Sequence, residues 1–347
     1  MKYCVFSYSA KGCGLAEKVK TVLGGDPNGD DRKVNIILYT VERLAKEGFL
    51  AIPSPSSPLY AEAFASADAL IFIGAAGIAL RCCAPHIKSK ETDPAVLCLD
   101  ETGRFVIPLL SGHIGGANRM ASLLAQRLGS KAVITTATDI NSRFSADAWA
   151  SEKGFDISSI KTAKEISAAI LERDLPLYCE VGVKGPLPPG TFASREGDLG
   201  IYIGVRDSGP FDRSLRLVPK ALHLGLGSRK GVSKEGVKKA VETALKEAGL
   251  DPKALKCAAS IDLKADEAGI REYCEEAGLP LSFYSAGELS ALEGDFSGSD
   301  FVKKVAGVDC VCERSALMGA KRLIVKKTVL DGVTVAVAEE EWEASFE

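Results

Sequence analysis

Short apolar runs alternate with segments of helical spacing through the first third of the chain. Residues 2–8 form a β-type run, and Ser9-Ala10-Lys11-Gly12-Cys13-Gly14 reads as a loop before Leu15, Val19, Val22 and Leu23 fall at helical intervals. A Gly/Asp/Asn-rich turn over 24–31 leads to a strand over 33–39 and a short helix over 41–47. Pro53, Pro55 and Pro58 deny helix and mark an exposed loop. The almost wholly apolar run 69–74 is expected of a strand covered on both faces. It ends in Gly74-Ala75-Ala76-Gly77, followed by a helical stretch to Ala84. Runs 95–99 and 105–110 flank Asp100-Glu101-Thr102-Gly103, a hairpin turn. Ala117, Met120, Ala121, Leu124 and Leu128 then predict a helix stopped by Gly129, with a short strand over 132–135.

From about residue 142 the pattern changes. A helix over 163–172 and strands over 177–181 and 200–205 surround the turn-rich Lys184-Gly185-Pro186-Leu187-Pro188-Pro189-Gly190. Alternation resumes near 217. A strand over 221–226 runs into Gly225-Leu226-Gly227-Ser228-Arg229-Lys230-Gly231, read as a glycine loop, and Ser233 caps a helix with Val237, Ala240, Val241, Ala244, Leu245 and Ala248 on its apolar face. Further strands are expected over 255–260, 280–284 and 334–338, with helices near 267–277 and 313–322. The whole reads as α/β. It comprises an N-terminal open, mostly parallel sheet with helices on both faces (1–141), a small middle module (142–216) and a second α/β domain (217–347). A chain of 347 residues exceeds what one core usually serves, which fits two or three domains.

Composition narrows the function classes. Forty-three basic against 46 acidic side chains lack the basic surplus of a nucleic-acid binder. No apolar run approaches the ~18 residues of a membrane span, and the N-terminus has no signal-peptide block, so the expected location is the cytoplasm. The ten cysteines include no C-x-x-C pair, which leaves a metal site unsupported and reduced, packed thiols expected.

The densest candidate for chemistry is Leu109-Leu110-Ser111-Gly112-His113-Ile114-Gly115-Gly116-Ala117-Asn118. A strand meets a helix through three glycines, where unpaired N–H groups and the helix dipole favour an anion. His113 adds a side chain that titrates near neutrality. A tight turn with a solvent-facing His is the alternative, and Asn118 can equally cap something local. The second glycine turn holds Gly77 as a substrate-binding candidate, and Arg81 there, with Lys88 and Lys90 beyond, can pair ligand carboxylates; solvated lysines are the plain alternative. His86 reads as a surface residue and His223 as a packed one. Asp139, at the end of the hydroxyl-rich 134–139 expected at a strand end, is either a base or a helix cap. The loop with Gly225, Gly227, Ser228 and Arg229 departs from G-x-G-x-x-G, so it suits a carboxylate or phosphate without compelling a dinucleotide.

Together these strings resemble a known family. Gly77-Ile78-Ala79-Leu80-Arg81, Lys90-x-x-Asp93-Pro94-Ala95-Val96, Asp100-Glu101-x-Gly103, the 109–118 motif and Ile134-Thr135-Thr136-Ala137-Thr138-Asp139 resemble the N-terminal part of CbiG, the cobalt-precorrin-5A hydrolase family of anaerobic cobalamin biosynthesis. Leu224-Gly225-Leu226-Gly227-Ser228-Arg229-Lys230-Gly231, Ala258-Ala259-Ser260-x-x-x-Lys264 and Gly307-Val308-x-x-Val311-x-Glu313 resemble its C-terminal domain, to which CobE of the aerobic pathway is also similar.

The resemblance implies opening of the ring A δ-lactone of a cobalt-bearing tetrapyrrole, with loss of acetaldehyde, to give cobalt-precorrin-5B. Cobalt then arrives within the substrate and no further cofactor is expected. The implied partners are that tetrapyrrole and neighbouring enzymes of the pathway, with a homodimer left open and neither nucleic acid nor membrane expected. Such a reaction needs an acid/base, for which His113 is the first candidate and Asp139 and Glu313 the second. It also needs oxyanion or carboxylate donors, for which the N–H groups of Gly115 and Gly116 are candidates beside Gly112 and Asn118. Arg81, Lys90, Arg229 and Lys264 are expected to clamp peripheral carboxylates. A non-catalytic corrinoid carrier and a nucleotide-dependent oxidoreductase are the competing readings.

Overall fold

Strand register explains the apolar runs. The computed structural model describes residues 1–25, 34–89, 92–298 and 307–346, and the chain divides into two units, Met1–Glu152 and Lys153–Glu347. In the first, β1 (Lys2–Ser7), β2 (Asn35–Val41), β3 (Phe49–Ile52), β4 (Ala69–Ile73), β5 (Ala95–Leu99), β6 (Phe105–Leu110) and β7 (Lys131–Ala132) form one sheet in the order β3-β2-β1-β4-β5-β6-β7. Every pairing is parallel except β5–β6, so β6 and β7 run against the other five strands.

Helices α1 (Ala10–Gly24), α2 (Ser57–Ser66), α3 (Ala76–Cys83), α4 (Ala117–Leu128), α5 (Ala137–Ile140) and α6 (Ala146–Lys153) complete the unit. Successive strand residues face opposite sides. Val5, Ile71 and Leu97 therefore pack with Ala16 and Val19 of α1 and Leu124 of α4, while Phe6, Phe72 and Val96 pack with Phe64 of α2 and Cys83 of α3. The two-faced α/β architecture read from the sequence is present. Burial in these two clusters stabilises the unit by ~25 cal/mol per Å² of apolar surface removed from water.

Several local expectations are corrected. The loop expected over 9–14 is the start of α1, because Ser9 Oγ accepts from the Gly12 N–H and caps the helix. The proline-rich loop yields at Ser57 to α2, with Pro58 in the first turn, where a missing N–H costs nothing. The helix over 41–47 is a single 3₁₀ turn, Glu42–Leu44. Residues 134–139 are not a strand end: β7 stops at Ala132 and Asp139 lies in α5. Strand β3 and helices α5 and α6 were not expected from the pattern.

The second unit holds two five-stranded sheets. One runs Thr191–Ala193, Leu175–Cys179, Leu199–Ile203, Arg213–Val218, Asp156–Ile157, with the helix Ile160–Glu172 capped by Ser159. The other runs Leu281–Tyr284, Leu255–Ile261, Leu222–Ser228, Val333–Glu339, Arg322–Leu330. Ser233 caps the helix Lys234–Glu247, whose expected face is buried at Val237, Ala240, Val241, Ala244 and Leu245.

The glycine loop over 225–231 is also corrected: Gly225 and Gly227 are buried inside the strand Leu222–Ser228. A Cβ at Gly225 would stand 1.8 Å from the Cys312 carbonyl oxygen and 2.7 Å from the Ala316 nitrogen, and one at Gly227 2.4 Å from Thr334 Oγ1. Gly225 lets the helix Val311–Leu317 lie on bare backbone, and Gly227 makes room for Thr334 of the neighbouring strand. Gly225→Ala should therefore destabilise the chain at or above the ~1–3 kcal/mol typical of overpacking. Urea unfolding of the variant measures this, and an unchanged midpoint would show that the contact is not tight.

Candidate active site

The site is built where β6 turns into α4. Leu110 lies beside Val96, near the start of β5, so this turn and the glycine turn after β4 fall at opposite ends of the sheet; the Gly74 N–H bonds Leu99 at the end of β5. Because β6 and β7 are reversed, the turn still follows the carboxyl ends of its own strand pair, where open α/β sheets bind ligands.

Glycine is required here for steric reasons. Ser111 has φ 55° and Gly116 φ 78°. A Cβ at Gly112 would come within 2.8 Å of Asn118 Oδ1, and one at Gly115 within 2.4 Å of Ser111 Cβ. The turn consumes donors that the sequence left available: the Gly116 N–H donates to the His113 carbonyl (2.9 Å), Ala117 to Ser111 (3.1 Å) and Asn118 to Gly112 (3.0 Å). The expectation of a Gly116 donor is corrected accordingly. Among the described residues, the Gly115 N–H has no acceptor.

Carboxylates flank both imidazole nitrogens of His113. Nε2 lies 3.2 Å from Asp139 Oδ2 and 3.2 Å from Thr138 Oγ1. Nδ1 lies 3.1 Å from Ser145 Oγ and 3.4 Å from Asp147 Oδ1. Asp147 is buried, with its side chain 4% exposed, and it accepts from Ser145 Oγ (2.7 Å) and the Ala148 N–H (3.0 Å). Asp139 is 37% exposed and faces the pocket. Its Oδ2 accepts from Asn118 Nδ2 (3.0 Å) and Thr136 Oγ1 as well as contacting His113, which leaves Oδ1 without a hydrogen-bond partner among the described residues. Asn118 is thus a buried strut that aims Asp139, and it also donates to Thr136 Oγ1 (2.7 Å).

The hydrogen bond to Asp147 raises the His113 pKa above the usual imidazole range; desolvation opposes this, and the charges of Asp147 and Asp139 reinforce it. Burial would push the Asp147 carboxyl up, but bonds from His113 and Ser145 overcome it and hold the group at about 2. The result is an imidazole fixed between a buried carboxylate and a pocket-facing one. Gly112, His113, Gly115, Gly116, Asn118, Arg119, Asp139, Ser151 and Glu152 are among the residues lining a pocket of ≈ 260 Å³.

The remaining predicted residues lie elsewhere. Gly77 and Arg81 are exposed on α3 and do not line this pocket, and Lys90 lies outside the described residues. Glu313 is fully buried and accepts from Ser297 N–H, Ser297 Oγ and the Lys327 N–H (2.7 Å each), an arrangement that suits a structural anion; burial pushes its carboxyl up, but these backbone and side-chain bonds outweigh that and hold it below the usual range. Lys264 pairs with Glu267 at 3.0 Å, and the other oxygen of Glu267 accepts from the Gly231 N–H, so the chain's own carboxylate fills the cradle expected there. Arg229 is exposed beside the buried, unpartnered Ser228 Oγ. His223 is packed as expected, between the Met318 carbonyl and Glu340. The sequence reading missed Ser145, Asp147 and Arg119; the adjacency of Arg119 to Asn118 was the one available signal.

The model described as "Cobalamin synthesis G N-terminal" matches residues 58–139, and "Cobalamin synthesis G C-terminus" matches 222–338. The chain is 33% identical over 314 residues to "Cobalt-precorrin-5A hydrolase" of Salmonella typhimurium, covering 86% of this chain and 90% of the relative. It is 30% identical over 332 residues to the protein of the same name from Priestia megaterium, covering 89% and 85%. "Protein CobE" of Sinorhizobium sp. is 36% identical over 121 residues, 34% of this chain and 79% of that one.

Proposed function

This chain belongs to the cobalamin synthesis G (CbiG) family, and we propose that the pocket at His113 is where it acts as a cobalt-precorrin-5A hydrolase. One observation carries the assignment of the site: an imidazole held between a buried and a pocket-facing carboxylate. A corrinoid carrier has no use for such a group, which costs desolvation to bury.

Water attacks the lactone carbonyl while the unpaired Oδ1 of Asp139 takes its proton. The Gly115 N–H, which lines the pocket and has no acceptor among the described residues, is the donor assigned to the developing oxyanion, an electrostatic contribution that counts most in a water-poor site. The imidazolium of His113 then protonates the departing alkoxide, and Asp147 steadies Nδ1 throughout. In the second half the freed alcohol gives its proton back to the site as it becomes a carbonyl. Its carbon–carbon bond to the macrocycle breaks, the bonding pair and a proton pass to the macrocycle, and acetaldehyde leaves.

The pocket lies just below the ~300–1,000 Å³ of ordinary ligand sites, so it receives the lactone-bearing edge of the ring rather than the whole macrocycle. Arg81, Arg229 and Lys264 remain proposals for binding ligand carboxylates; Arg81 and Arg229 are exposed, whereas Lys264 is already paired with Glu267. Cobalt belongs to the substrate in this reading, and the protein adds no cofactor. Among the described residues no helix is long and apolar enough to cross a membrane; we place the enzyme in the cytoplasm beside other enzymes of the pathway, with a homodimer compatible.

Purified protein given cobalt-precorrin-5A should release one acetaldehyde per substrate, read with an aldehyde-coupled dehydrogenase. Tight binding of the substrate without aldehyde would instead make the chain a carrier.

A further inference from the structure

We propose that this same pocket opens small δ-lactones bearing a carboxylate, and that Arg119 selects them. The inference rests on the lactone-opening reading above and extends it to substrates with no macrocycle. Three observations support it.

First, every group the ester step needs lies between Gly112 and Glu152, within one unit. Second, the pocket is of a size for one substituted ring. Third, Arg119 lines the pocket from the first turn of α4, is exposed, and makes no ion pair among the described residues. The other charged groups lining the pocket are His113, Asp139 and Glu152. Asp139 Oδ2 already faces three donors, and Glu152 lies in no ion pair with Arg119. The guanidinium fork is therefore free for an incoming carboxylate, whose two oxygens it matches.

The two halves of the family reaction differ in what they demand. Releasing the aldehyde needs the macrocycle to accept an electron pair. Opening the ester does not: the oxygen of water bonds to the acyl carbon, the acyl C–O bond breaks, and the alkoxide takes a proton to leave a hydroxy acid. At neutral pH the new acid ionises, so each turnover releases one proton and no aldehyde.

The test gives the full chain δ-valerolactone carrying a carboxymethyl group, and plain δ-valerolactone, with proton release followed by pH-stat. The carboxylated lactone should be opened with a kcat/KM about ten- to hundredfold above the plain one, the range of one charge-assisted pair. Arg119→Ala should bring that ratio close to one, and Arg119→Lys should restore part of it. His113→Gln should abolish catalysed opening of the carboxylated lactone. A ratio near one in the wild type, or a ratio that survives Arg119→Ala, overturns the selective role of Arg119. A protein that releases acetaldehyde from cobalt-precorrin-5A yet leaves both lactones closed overturns the inference while the family reaction stands. Failure on all three substrates overturns the reading of the site itself.

Discussion

A His113→Gln protein should release acetaldehyde from cobalt-precorrin-5A about 10²–10⁴-fold more slowly than the wild type, the range a positioned acid/base supplies. Glutamine keeps a polar group of similar reach near Ser145 and Asp139, so the fold should persist by circular dichroism while proton transfer is lost. Single-turnover measurement with saturating enzyme separates chemistry from binding. The Asp139→Asn variant should be impaired on the same scale, and the double variant little more than either single, because residues acting as one relay are not additive. A His113→Gln rate within a few-fold of wild type would remove the imidazole from the chemistry and leave Asp139 to act alone.

The sequence made this site half legible, for a physical reason. The Gly112–Gly116 turn and the face of α4 are local features, written as glycine spacing and 3.6-residue periodicity. Neither depends on tertiary contacts. Asp147 does. It lies 34 positions from His113 on α6, a short helix whose buried Ala146, Asp147, Trp149 and Ala150 do not trace a clean apolar stripe. Only the fold places that carboxylate at Nδ1.

The misread glycines teach the same point from the other side. Gly225 and Gly227 looked like an anion loop because local spacing cannot show that the Cys312 carbonyl will lie 1.8 Å from an added methyl. A glycine demanded by close packing and one demanded by a ligand leave the same mark on a sequence. The direction of β6 was equally hidden. The hairpin at Asp100–Gly103 was legible, but its consequence, reversing β6 and β7 so that the two glycine turns lie at opposite ends of one sheet, depends on the full strand order.

Asp147→Asn offers a test in which stability and catalysis must move together, with signs fixed in advance. The native carboxyl stands at about 2 against an ordinary ~3.9, so its stabilisation is fully present above pH ~4 and is lost as pH falls toward 2. His113 is raised, so its share is fully present below the ordinary ~6.5 and is lost as pH rises through the native value. The two shifts describe one interaction and are counted once, at about 2 kcal/mol for a side chain this buried. Urea titrations should therefore show the wild-type advantage at its largest between pH ~4 and ~6.5 and shrinking on both sides. Without the anion at Nδ1 the imidazolium gives up its proton more readily. The alkaline limb of the acetaldehyde-release profile should then move to lower pH, and the maximal rate should fall about 10²-fold or more as the ring loses its fixed orientation. A stability difference independent of pH, or a limb that stays in place, would mean that Asp147 only fills space beneath His113 and does not set its charge.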